Sequence, residues 1–279
     1  MIRIVTDSMS DITQAEAAQW GVEVLPLMVR FGREEYLDGV ELPLDEFYTR
    51  LQQVKELPKT SQMTPERFRD AFDRNLADGD EVLCVTGSSR LSGTYQSAVL
   101  ARSMANAPER VHLVDSMSAS LGEAQLVLEA LRRRDAMDGA ALAAHLEDVK
   151  ARSHLVGQAR ELRYLVMGGR LNAAVGAIGM TLGIKPMLRL SEGIMHQAGL
   201  CRSQTKAHQW YADRLAEFPP DPAFPLILAG AACDDQVRAL KDALEAGGAA
   251  VDSTRQIGTV IGTYTGPGLT AMSWVAKAV

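Results

Sequence analysis

Apolar residues in the first half of the chain recur in two alternating rhythms. Short apolar runs at residues 2–5, 22–29, 82–85 and 111–114 predict strands. Between them, apolar residues spaced three or four apart predict helices over 12–20, 44–54 and 121–133. In the second of these, Phe47, Tyr48 and Leu51 share one face. Thr64-Pro65-Glu66 has the composition of a helix start: an N-cap hydroxyl, a proline at the first position and an acid in the first turn. Phe68, Phe72 and Leu76 then supply a core stripe at i, i+4 and i+8. A helix is also expected over 98–104. Such alternation builds βα units around a mostly parallel sheet. Sheets of that kind bind ligands beyond the carboxyl ends of their strands. Asp7-Ser8, residues 88–94 and Asp115-Ser116 fall at such ends.

The second half is patterned differently. A helix is expected over 140–153, then a hairpin of strands 187–190 and 194–198 joined by Ser191-Glu192-Gly193. A helix (205–218), a strand (226–229) and a helix (236–245) follow, with strands near 250–254, 259–263 and 270–275. The expected fold class is α/β with two domains. Residues 1–150 form an N-terminal Rossmann-like domain, a mostly parallel sheet flanked by helices, and residues 151–279 a C-terminal mixed α/β domain.

A chain of 279 residues, 47% hydrophobic and 23% charged, has the length and composition for either one large domain or two ordinary ones with sizeable cores. The net charge of -6 excludes a general affinity for nucleic acid or anionic membrane. Cys84, Cys201 and Cys233 are odd in number and form no Cys-x-x-Cys pair, which argues against a zinc site or disulfide framework and fits a reducing cytoplasm. The N-terminus enters a strand pattern with charges inside it, unlike a signal peptide, and no apolar stretch is long enough to span a bilayer. The expected location is cytoplasmic, with no integral membrane segment.

Candidate chemistry begins at residues 88–98, where a hydroxyl-rich turn containing glycine leads from a strand into a helix. The first N–H groups of a helix lack intrahelical partners and favour negative charge, so Ser92, Gly93 and Thr94 are placed to hold an anion. Simple capping by Ser92 or Thr94 is the competing reading. Thr60-Ser61-Gln62 places further hydroxyls before the Thr64 helix start. In Gly168-Gly169-Arg170 the arginine has the chemistry to pair with an anion; a helix C-cap with a surface arginine is the reading the segment alone favours. Gly176, Gly179 and Gly183, set among apolar residues, leave a groove for a packing element or an apolar ligand. Residues 261–268 read as a tight turn between two strands. No phosphate-binding loop, Gly-x-Gly-x-x-Gly after a strand, Gly-x-Ser-x-Gly or His-x-x-x-His pair is present. Asp7, Asp11 and Asp115 read as caps and turn residues rather than as a catalytic carboxylate set. No catalytic residue, metal ligand or cofactor is expected.

Taken in order, these motifs resemble the DegV family of bacterial fatty-acid-binding proteins along the whole chain. Thr6-Asp7-Ser8 with Asp11 resembles the opening motif, Thr60-Ser61-Gln62 the second and residues 89–98 the third. Asp115-Ser116 with Ser120 and Gly122 resembles the fourth. Tyr164-Leu165 with Gly168-Gly169-Arg170, followed by Lys185-Pro186-Met187-Leu188, resembles the fifth, and residues 261–268 the last. The resemblance implies one long-chain fatty acid in a buried tunnel between the two domains. Thr60 and Ser92 would be the hydroxyls nearest its carboxylate, with Ser61 and the Gly93 N–H as neighbours, Arg170 supporting the network and Tyr264 in the last motif. It further implies a carrier without catalytic machinery, which presents the carboxylate to a separate fatty acid kinase subunit. The acyl phosphate then feeds phospholipid synthesis.

The chain departs from the family pattern at Tyr264, where histidine is usual, and at Met63, Met167 and Ala124, where proline, lysine and glycine are common. A tyrosine hydroxyl donates a hydrogen bond but carries no positive charge near neutral pH. That departure leaves open a lipid-binding paralogue without kinase hand-off. Rivals of other classes are a small-molecule transferase or hydrolase using the Ser92 region, and a nucleotide-binding module; the usual motifs of both are missing.

Overall fold

The computed structural model of the chain describes residues 1–77, 81–172 and 183–278. Among them a four-stranded parallel sheet forms from β1 (Ile2–Asp7), β2 (Val22–Leu25), β6 (Glu81–Thr86) and β7 (Val111–Asp115), in the order β2-β1-β6-β7. Every residue of β6 except Glu81 is buried, as befits a parallel strand covered on both faces. The covering helices include α1 (Gln14–Trp20), α3 (Pro65–Leu76), α4 (Thr94–Met104), α5 (Leu121–Arg133) and α6 (Gly139–Arg152). Their starts are chemically specified. Thr13 and Glu16 make a reciprocal capping box, Thr64 caps α3 with Pro65 behind it, and Asp138 caps α6.

A small antiparallel sheet of β3 (Met28–Phe31), β4 (Glu34–Leu37) and β5 (Lys59–Ser61), in the order β4-β3-β5, adjoins α2 (Leu44–Gln53). The sequence pattern predicts one strand over 22–29; the structure breaks it into β2 and β3, which belong to different sheets. Pro26 falls at the break and has no N–H to extend a ladder.

The second large sheet holds β8 (Ser153–Gln158), β9 (Lys185–Ser191), β10 (Ile194–Cys201), β11 (Ile227–Gly230), β12 (Ser253–Gln256) and β13 (Thr270–Val275), in the order β10-β9-β8-β13-β11-β12. Every pairing in it is antiparallel except β11 with β12. Helices α7 (Arg163–Met167), α8 (Gln204–Glu217), α9 (Asp234–Ala246) and α10 (Thr259–Thr265) accompany it. The chain is thus α/β, with a parallel sheet flanked by helices followed by a mixed sheet. Helix α5 packs against β1 and β6 of the first sheet and β8 and β13 of the second. This explains why its residues from Leu121 to Val127 are all buried, and why Ala124, fully enclosed, is small.

Residues 259–263, patterned as a strand, are instead the start of α10. Threonine loses little in a helix when its hydroxyl bonds a preceding carbonyl. Thr263 Oγ1 donates to the Thr259 carbonyl at 2.8 Å, and Thr265 Oγ1 to that of Ile261 at 3.1 Å. The expected hairpin over 261–268 is therefore a helix end. It closes at Gly266, whose φ of 69° and proximity to the Tyr164 ring, 2.2 Å from where a Cβ would sit, exclude a side chain. Gly176 and Gly179 lie outside the described residues.

Phe68 and Phe72 of α3 are fully buried with ring centroids 5.7 Å apart. Replacing Phe72 by Ala should cost about 3–5 kcal/mol of folding stability in a urea titration. A loss below about 1 kcal/mol would remove α3 from the core packing described above.

Candidate ligand-binding site

One cavity is walled by strands of the mixed sheet and by turns that follow strands of the parallel sheet. β8 contributes Leu155, β9 Leu188 and Leu190, β10 Met195 and β13 Ala271. Met9 enters from the segment after β1, Leu91 from the turn before α4 and Ala119 from the turn before α5. Val260 and Ile261 of α10 close another side. Counting the solvent at its open mouth, the space between these residues measures about 840 Å³. The lining side chains are mostly apolar.

The polar side chains of the lining gather in one place. Thr60 on β5 and Tyr264 on α10 meet through their hydroxyls at 2.6 Å. The Arg170 guanidinium lies 4.0 Å from the centroid of the Tyr264 ring, a close cation–π contact. Arg170 also donates to the Gly168 carbonyl at 2.6 Å and to the Leu91 carbonyl at 3.0 Å. It thereby ties the end of α7 to the turn that carries Ser92. The Ser92 hydroxyl is 2.9 Å from the Thr94 hydroxyl and accepts the Thr94 N–H at 3.3 Å. Two other hydroxyls in the lining are engaged elsewhere: Ser120 donates to Asp11, and Thr265 to the Ile261 carbonyl.

Of the residues singled out from sequence, Thr60, Ser92, Arg170 and Tyr264 come together in this lining. Ser61 is exposed, one position along β5 from Thr60, and strand alternation sends neighbouring side chains to opposite faces. Gly93 lies behind Ser92 as the residue preceding α4, where neither Ser92 nor Thr94 is the cap position. A Cβ on Gly93 would stand 1.9 Å from Gln62 Oε1, so the Gln62 amide packs directly over the Gly93 backbone. Gly168 caps α7 as its composition suggested, yet the following arginine faces the cavity. The apolar wall escaped the sequence motifs; a buried strand facing a cavity has the same residue pattern as one facing packed core. Histidine contributes nothing to the lining. His112 and His145 sit 3.0 and 2.6 Å from Glu81 and Glu129, and His154 stacks on Trp274.

Beside the cavity lies a set of carboxyls, of which Asp7, Asp11, Asp38 and Glu123 are buried and Asp115 half-buried. Asp7 accepts the N–H groups of Met9 and Gly87, and Asp11 accepts those of Gly258 and the Ser120 hydroxyl. Asp115 binds the N–H groups of Ser89 and Met117. These are turn and capping roles, as the sequence suggested. Burial pushes Asp7 up to about 6 and Asp11 up to about 7, against the pull of their donors. Burial also raises Glu123 well above the carboxylate range and lifts Asp38.

An open-mouthed apolar cavity with a hydroxyl-and-guanidinium end, walled by a mixed sheet and by turns that follow strands of a parallel one, defines a class of α/β protein. Within that class the chain belongs to the DegV family, whose model, described as an uncharacterised protein of the DegV family, matches residues 1–277. A DegV domain-containing protein of Caldanaerobacter subterraneus is 34% identical over 273 residues, 95% of each chain. A DegV family protein from Thermus thermophilus, described by its fatty acid binding, superposes with a TM-score of 0.89 at 32% identity over 99% of both chains. A stearic acid-binding protein from Eubacterium ventriosum superposes with a TM-score of 0.88 at 26% identity, also over 99% of both.

Asp7 and Asp11 hold their protons more tightly in the folded chain than in the unfolded one. Their contribution to stability is therefore full at low pH and is lost as pH rises through about 6 and about 7. Thermal midpoints of Asp11→Asn should fall less steeply than wild type between about pH 4 and about pH 7. An unchanged slope would acquit Asp11 as its source.

Proposed function

We propose that the protein binds one long-chain fatty acid, with the acyl chain in the apolar cavity and the carboxylate at the Thr60, Ser92 and Tyr264 hydroxyls. The observation that carries this reading is the segregation of the lining, apolar on most sides with its available polar groups at one end. The fatty acid binding described for the Thermus and Eubacterium relatives supports it. Burying about sixteen carbons at about 0.8 kcal/mol per CH₂ gives a gross driving force on the order of 10 kcal/mol. Association entropy takes back several kcal/mol. The carboxylate's hydrogen bonds, about 1.5–3 kcal/mol each, chiefly offset its desolvation. The chain thus supplies affinity and the hydroxyls fix orientation. Arg170 adds positive charge beside the Tyr264 ring, while its guanidinium already serves two carbonyls.

In this reading the residue ranges 1–150 and 151–279 are the two domains, and the protein acts in the cytoplasm as a carrier rather than an enzyme. Thr60, Ser92, Arg170 and Tyr264 form the binding set, with Gly93 behind Ser92 and Ser61 beside Thr60 on the opposite face of β5. The carrier presents the carboxylate to a separate kinase subunit for acyl-phosphate formation. The partial exposure of Thr60 and Ser92 supports that step. Among the described residues no helix is long and apolar enough to cross a membrane.

Denaturing the purified protein and extracting it into organic solvent should release a long-chain fatty acid in stoichiometric amount, identified by mass spectrometry. An empty extract, with no thermal shift on adding fatty acids, would overturn the proposal. Thr60→Ala or Ser92→Ala should weaken binding several-fold, roughly 1 kcal/mol. Ala271→Phe, which fills the apolar part, should cost more than either in the same titration.

A further inference from the structure

Helix α10 carries Tyr264 to the polar end of the cavity, yet it has only seven residues. A helix that short has little stability of its own and takes its position from whatever holds its ends. Its first N–H groups lack intrahelical partners. The Gly258 N–H donates to Asp11 Oδ1 at 2.9 Å. The Thr259 N–H and hydroxyl donate to Asp38 Oδ1 at 3.0 and 2.7 Å, and the Val260 N–H faces the same carboxylate. Asp38 is in turn faced by the Ser8 hydroxyl, which accepts the Leu27 N–H. A Cβ on Gly258 would lie 2.8 Å from Asp11 Oδ1 and 3.5 Å from Asp38 Oδ1, so the backbone there is shaped for both carboxyls. Neither aspartate belongs to the cavity lining.

We infer that Asp38, together with Asp11, is a positioning residue for the ligand site: the pair seats the start of α10 and so aims the Tyr264 hydroxyl at Thr60. This inference rests on the proposed fatty acid site for its functional meaning, but the placement of Tyr264 is testable without ligand. Tyr264 is five residues beyond Thr259, about 7.5 Å along the helix, so a tilt at the start displaces the hydroxyl at the end. The Thr60 contact at 2.6 Å has little slack. A buried carboxyl is costly unless it is hydrogen-bonded, and the donors Asp38 receives from Thr259 and Val260 all belong to the start of α10. Other contacts also hold α10: the Tyr48 hydroxyl donates at 2.8 Å to the Ile257 carbonyl just before its start, and Gly262 rests against Tyr48 and Phe47, but the first N–H groups of the helix go to the two aspartates.

The test uses protein labelled with ¹³C at the ζ carbon of tyrosine, where Tyr264→Phe identifies the Tyr264 signal among six. Thr60→Ala should shift that signal in the ligand-free protein. Asp38→Asn should shift it as well, after which adding Thr60→Ala should produce little further change. An unmoved Tyr264 signal in Asp38→Asn would overturn the inference. Thr259→Val, which removes only the hydroxyl donor, gives the same readout in smaller measure should Asp38→Asn fail to fold. Fatty acid titrations then complete a double-mutant cycle. Asp38→Asn should weaken binding roughly three- to tenfold, and the loss should vanish in a Tyr264→Phe background because the two act as one unit. Losses that multiply would show that Asp38 acts through general stability and refute the positioning role. A Tyr264 signal that responds as described in a protein that binds no fatty acid would uphold the placement and overturn the functional reading alone.

Discussion

An apolar cavity inside a folded protein is held open against the tendency of packing to close it. Interiors approach crystal density, and side chains that face empty space forfeit dispersion contacts. The walls must therefore be elements that cannot relax inward. Here they are strands β8, β9 and β13, fixed by their ladders, and α10, fixed at its start by buried carboxyls. Helix α5, gripped by both sheets, sets their separation. The rest of the molecule is arranged around that spacing. The parallel sheet delivers loops to one side of the gap, and the mixed sheet provides the floor.

The sequence makes the scaffold legible because period and capping carry most of it. Leu121–Arg133 is a helix with the bounds its pattern predicts, and the Thr64-Pro65-Glu66 start does what its chemistry implies. The failures share one cause, the dependence of local form on distant contacts. Residues 259–263 have a strand's composition but a helix's geometry because Asp11 and Asp38, more than two hundred residues earlier, receive their amides. Strands β4 and β5 carry too few apolar residues to announce themselves, and Thr60 gains its place only through pairing with Val29. The family resemblance, more than the chemistry of any one motif, grouped Thr60, Ser92, Arg170 and Tyr264, and the cavity lining contains all four. The apolar wall remained hidden, since Leu155 or Leu188 looks like any core residue until the opposing wall is known to be absent.

Tyr264 changes the electrostatics of the polar end without emptying it. The hydroxyl takes a hydrogen-bonding position beside Thr60, and positive charge comes from the Arg170 guanidinium against the ring face. Charge and hydrogen-bond donation are thus divided between two side chains.

The pairs that complete the site are far apart along the chain: Asp38 with Thr259, Tyr48 with Ile257, Thr60 with Tyr264. Synthesis runs from the N-terminus, and the early part of a chain begins folding before the late part exists. The half-built pocket on the emerging chain therefore lacks its last helix, and water reaches carboxyls that will later be sealed. A growing chain in that state offers a lipid no enclosed place. The cavity wall is thus complete only once residues 257–271 have been made, in a nearly finished polypeptide.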